Sequence, residues 1–172
     1  KWRDIFTLRQ LLALGVFIKH TKNAIEQIAG GKNTRNNAEA LGAYLGILLG
    51  KFSDYFSTLC LWSGFNDEVI HTFSRYALPI TWDFAEANPF TESSRFYTGG
   101  TEIASKVIEH LLTISSSSSA APQVFCRSVL ADLGTEKYDT IVTDPPYYDA
   151  IPYSDLMDFF YIWLRRTFQG TT

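Results

Sequence analysis

Apolar residues recur at helical spacing over several stretches of the chain, and the polar chemistry is concentrated in the breaks between them. Leu11, Leu14, Ile18, Ile25 and Ile28 fall at spacings of three, four and seven until Gly30-Gly31, which predicts an amphipathic helix over about 7–29. Thr7-Leu8-Arg9-Gln10 in front of it has the form of a capping box, in which the hydroxyl and the amide satisfy reciprocal backbone donors. Asn36-Asn37-Ala38-Glu39 offers a second start, and Ala38, Leu41, Leu45, Leu48, Phe52, Tyr55 and Leu59 mark one stripe. A second helix is expected over about 37–61. Gly42, Gly46 and Gly50 share one of its faces, and each costs roughly 1 kcal/mol relative to alanine. Close approach of another helix is the expected motive, within the chain or, alternatively, between two copies in a homodimer through helix 37–61.

After Ser63-Gly64 the periodicity fails, and 66–82 reads equally as a short helix or as extended chain. The stretch Asp83 to Phe90 mixes two carboxylates, Asp83 and Glu86, with an Asn-Pro turn signal and reads as a loop. Ala104, Val107, Ile108 and Leu111 predict a third helix behind Gly99-Gly100, and Ser115 to Ser119 with Ala120-Ala121-Pro122 reads as a linker. Beyond it come two strand-like runs, Gln123-Val124-Phe125-Cys126 and Ile141-Val142-Thr143, and then a last helical stripe of Leu156, Phe159, Phe160 and Trp163. The pattern predicts a helix-rich, mixed α/β chain: a helical region over 1–80, a loop, helix and Ser-rich linker over 81–121, and an α/β core over 122–172.

Composition narrows the classes. The 172 residues are 46% hydrophobic and 19% charged, enough to bury a sizeable core. No apolar run is long enough to span a bilayer, so no membrane partner and a cytoplasmic location are expected. Cys60 and Cys126 stand far apart with no ligand-spaced Cys or His, so no metal site or disulfide framework is expected and both read as buried small hydrophobes. His20 has no metal-binding neighbour at helical spacing and reads as solvent-facing or capping, and His71 has no recognisable partner. A net charge of −3 gives no basic footprint for independent nucleic-acid binding. The chain opens on Lys1 and reads as a fragment.

One stretch asks for chemistry. Ile141-Val142-Thr143 stops at Asp144-Pro145-Pro146-Tyr147-Tyr148, where the prolines fix the backbone and remove two N–H donors. What remains is a carboxylate, carbonyl acceptors and an aromatic face. That set suits a flat group bearing an exocyclic amine: Asp144 and the Pro145 carbonyl accept its N–H bonds while Tyr147 stacks on the ring. A plain strand-to-helix turn with Asp144 as a local cap is the alternative. Strand, crossover and strand with a loop at a carboxyl end is also how open α/β sheets place ligands.

Asp144-Pro145-Pro146-Tyr147 resembles motif IV of the S-adenosylmethionine-dependent methyltransferases that modify adenine N6 or cytosine N4 in DNA. With Tyr148-Asp149, Pro152-Tyr153, Asp155-Leu156 and Asp158-Phe159-Phe160-Tyr161, the chain is similar to the large prokaryotic adenine-specific methylases known as the DUF1156 proteins. Phe6-Thr7, Arg9 to Leu14 and Trp82 to Glu86 extend the likeness upstream. The resemblance implies a partial Rossmann-like methyltransferase sheet with a helical region in front, methylation of a base turned out of the duplex, and DNA and the rest of the methyltransferase chain as partners. It implies catalytic roles for Asp144, Pro145, Pro146 and Tyr147, and substrate contacts by Tyr148, Asp149, Tyr153 and Asp155. For S-adenosylmethionine the pattern is incomplete: no glycine-rich Phe-x-Gly-x-Gly loop is present, and only Ser128 and Asp132 stand near the expected cofactor position. Weak binding of the cofactor by this chain, or none, is expected. An RNA guanine-N2 methyltransferase and a non-catalytic helical interaction or oligomerisation module are the competing readings.

Overall fold

A computed structural model describes residues 1–30, 35–75, 77–91, 97–116, 122–128, 130, 137–148 and 150–169. A 3₁₀ turn, Trp2–Ile5, leads into α1 (Leu8–Ala29) and α2 (Arg35–Asp54), then a hairpin of β1 (Leu61–Ser63) and β2 (Glu68–Ile70), then α3 (Tyr97–Ser116) and α4 (Tyr153–Phe168). The capping box at the start of α1 forms as its residues dictate: the Gln10 backbone N–H donates to Thr7 Oγ1 at 3.2 Å and the Thr7 backbone N–H donates to Gln10 Oε1 at 2.8 Å.

α2 stops at Asp54, short of the expected 61, although the apolar spacing continues through Tyr55 and Leu59. The cause is an exchange of backbone partners. The Thr58 N–H donates to the Ile5 carbonyl at 2.8 Å, and the Asp54 carbonyl accepts from the Thr72 N–H at 2.8 Å and the Thr72 hydroxyl at 2.7 Å. Tertiary hydrogen bonds thus replace the next helical turn, and they tie the 3₁₀ turn and the hairpin to the end of α2. The hairpin settles part of the ambiguous 66–82: Leu61 faces Ile70 and Ser63 faces Glu68 in antiparallel register. Asp67 takes the left-handed conformation in its loop, at φ 53°, a place where Asp is better tolerated than most residues.

α1, α2 and α4 pack on one another, with α3 against α2. The shared core holds Phe6, Leu14, Leu49, Phe52, Phe56, Phe73, Phe159 and Trp163. Phe159 is central: its ring lies 4.8 Å from Phe73, 5.5 Å from Trp2 and 6.1 Å from Phe6. The final helix runs over 153–168 as its stripe predicts, and it closes the helical region rather than standing beyond it. The glycine face of α2 is taken up by this packing. A Cβ at Gly42 would lie 3.0 Å from Ile25 and 3.3 Å from Phe168, and one at Gly46 would lie 3.2 Å from both Leu164 and Phe168. The face considered for a homodimer is therefore occupied within the chain.

Several expectations need correction. Gly99 and Gly100 lie inside the first turn of α3 rather than before it, and a Cβ at Gly100 would touch Leu48 at 3.4 Å. α3 runs on through Ser115 and Ser116, and 117–121 lie outside the described residues. The hairpin is the sheet among the described residues, and no parallel, Rossmann-like sheet is found in them. The runs 123–126 and 141–143, expected as strands, are unpaired there, with Val124 92% and Val142 90% exposed. A strand needs neighbours to take its hydrogen bonds and cover its apolar face, and these runs have neither among the described residues. Cys126 is accordingly exposed, not buried, whereas Cys60 is buried as expected.

Candidate functional site

The Asp-Pro-Pro-Tyr stretch lies in irregular backbone between the unpaired run 141–143 and the start of α4. Two prolines forbid continuation of a regular ladder through it, and a third, Pro152, caps α4. Asp144, Pro145, Pro146, Tyr147 and Tyr148 are all exposed. The Tyr147 N–H donates to the Tyr153 hydroxyl at 3.4 Å. This bond links the loop to the first turn of α4, whose later turns are anchored in the core by Phe159 and Trp163. Tyr153 thereby has a positioning part, and Asp155 stands exposed in the same turn. Asp149 lies outside the described residues.

The arrangement offers acceptors and an aromatic face but no enclosure. The Asp144 carboxylate has no hydrogen-bond partner among the described residues and remains open to an N–H donor. Tyr147 presents most of its ring to solvent, so a base stacked on it would be covered on one side only. None of the described cavities is lined by Asp144 to Tyr148. Ser128 is exposed, with its Oγ accepting the Leu130 N–H at 3.2 Å, and Asp132 lies outside the described residues. Among the described residues near the loop, none forms a cradle that fits a bound S-adenosylmethionine.

A second polar cluster has no signature in the sequence. His71 Nδ1 lies 2.8 Å from Asp54 Oδ2, while Asp54 Oδ1 accepts the Phe73 N–H at 3.2 Å. Beside it, Ser57 Oγ and Thr72 Oγ1 share a 2.7 Å hydrogen bond, and Cys60 Sγ lies 3.7 Å from Thr72 Oγ1. Burial pushes the Asp54 carboxyl above its ordinary value in spite of the opposing pull of His71. Burial also pushes the Cys60 thiol upward, which keeps it protonated and a poor nucleophile at neutral pH. The cluster joins α2 to β2; its hydroxyls bond one another and Asp54 rather than the imidazole. Of the two carboxylates in the 83–90 loop, Glu86 bonds Arg9 and the Gln10 side chain, and Asp83 accepts the Phe84 N–H. Among the described residues no group of His, Cys, Asp and Glu could hold a metal ion, and no helix is long and apolar enough to cross a membrane.

No family model, curated protein or solved structure matches the chain.

Proposed function

We propose that the chain is part of an S-adenosylmethionine-dependent DNA amino-methyltransferase and that Asp144 to Tyr147 form its base-facing corner. Adenine N6 is the amine of choice, with cytosine N4 as the lesser alternative. The observation that carries the reading is the combination of an open carboxylate, a donor-free Pro-Pro backbone and an exposed tyrosine on a loop tethered to a core-anchored helix. Asp144 and the Pro145 carbonyl would accept the two N–H bonds of the amine. Those bonds favour a geometry in which the nitrogen lone pair leaves conjugation with the ring and becomes available for attack. Tyr147 would hold the plane of the base, and base–aromatic stacking of this kind is worth ~1–3 kcal/mol. In this reading 123–126 and 141–143 belong to a Rossmann-like sheet whose other strands, like the methyl-donor site, are supplied by further parts of the enzyme.

The test is a backbone NMR titration with a short single-stranded oligonucleotide containing one adenine. Chemical-shift changes are expected at Asp144, Tyr147 and Tyr148, and they should vanish when the adenine is replaced by N6,N6-dimethyladenine, which has no N–H to donate. Equal shifts with both oligonucleotides, or none with either, would overturn the assignment of an amine-reading corner.

A further inference from the structure

A largely apolar cavity lies away from the Asp-Pro-Pro-Tyr loop, where the 3₁₀ turn and the middle of α1 face the second half of α4. It encloses about 510 Å³, within the range of small-molecule sites. Trp2, Leu11, Ile18, Ile162 and Trp163 supply apolar walls, and three cationic residues, Lys1, Arg3 and Arg166, also line it. Arg3 is engaged by Asp4 at 3.4 Å. Arg166 has no carboxylate partner among the described residues, and Trp163 Nε1 is a buried donor without an acceptor there.

Gly15 supplies an independent observation. It sits mid-helix in α1 and lines this cavity, and a Cβ built on it would meet nothing within 4 Å. The glycines of α2 exchange helix propensity for close approach of a neighbour, whereas Gly15 forgoes about 1 kcal/mol relative to alanine with no neighbour to accommodate. Its missing side chain leaves the cavity open. We infer that this cavity binds an amphiphilic organic anion, whose apolar body lies between Trp2, Leu11, Ile18 and Ile162 and whose single acidic head pairs with Arg166. A guanidinium offers a planar pair of donors to a carboxylate.

Decanoate, titrated below its micelle concentration and followed by calorimetry, tests the site. Saturable binding to one site is expected, with decanol at least tenfold weaker. Arg166→Gln should weaken decanoate about tenfold without altering the fold. Gly15→Leu, which places a side chain into open space and improves helix propensity, should keep the far-UV spectrum, raise the urea midpoint and abolish binding. No saturable binding, equal affinity for decanol, or undiminished binding by the folded Gly15→Leu protein would each overturn the inference.

Discussion

Asp54 and Asp144 carry the same carboxylate into opposite surroundings, and the difference decides what each can do. Asp54 keeps 13% side-chain exposure, accepts the Phe73 N–H and holds His71, while Asp144 stands in solvent. Because burial lifts Asp54 above 3.8, the folded chain retains its proton over a window in which the unfolded chain has released it. Its contribution to stability therefore falls as pH rises through that window. Asp54→Asn removes the titration. The urea midpoint of the parent minus that of the variant is expected to decrease as pH rises from the ordinary carboxylate range; an increase would mean that attraction to His71 outweighs desolvation. The candidate loop was legible because its signal is contiguous: a β-branched run, a carboxylate, two prolines and a tyrosine. The partner of His71 was not, since it lies 17 residues away in sequence and only the hairpin brings it close.

Helices were legible where local chemistry sets their limits. α1 begins where Thr7 and Gln10 cap it, and α4 follows the stripe of Leu156, Phe159, Phe160 and Trp163. The end of α2 was hidden because the groups that compete for its last carbonyl and for the Thr58 N–H belong to Thr72 and Ile5. The runs 123–126 and 141–143 stay unpaired among the described residues for a related reason: residue type can favour a strand, but only neighbours make one. The α2–α4 contact gives its own prediction. With side chains of Leu164 and Phe168 already 3.2 Å from a Cβ at position 46, Gly46→Leu must push α4 away or force strained rotamers. A loss of ~1–3 kcal/mol is expected by analogy with overpacked cores, read as a lower urea midpoint. An unchanged midpoint would mean that α4 does not pack on this face.

At the scale of the molecule, α4 is joined to the candidate loop on one side and embedded in the α1–α2 core on the other. The linker reading divided the chain near 121, yet the core ignores that division, because Phe159 and Trp163 pack with Phe6, Phe52 and Phe73. A chain ending after Ser116 loses both. Large aromatic residues in cores are worth about 3–5 kcal/mol each on truncation, against a total stability on the order of 5–15 kcal/mol. The shortened chain is expected to lose its near-UV circular dichroism and sigmoidal urea unfolding; retention of the parent midpoint would mean that the first 116 residues form a self-sufficient core. The same late closure imposes an order on biosynthesis. Phe73 leaves the peptidyl-transferase centre about ninety residues before Trp163, an interval on the order of ten seconds at ordinary elongation rates. Until α4 emerges, the aromatic layer it covers is open to water, to other nascent chains and to chaperones, so codon choice and translation speed over 74–163 should govern how much of the protein reaches its folded state.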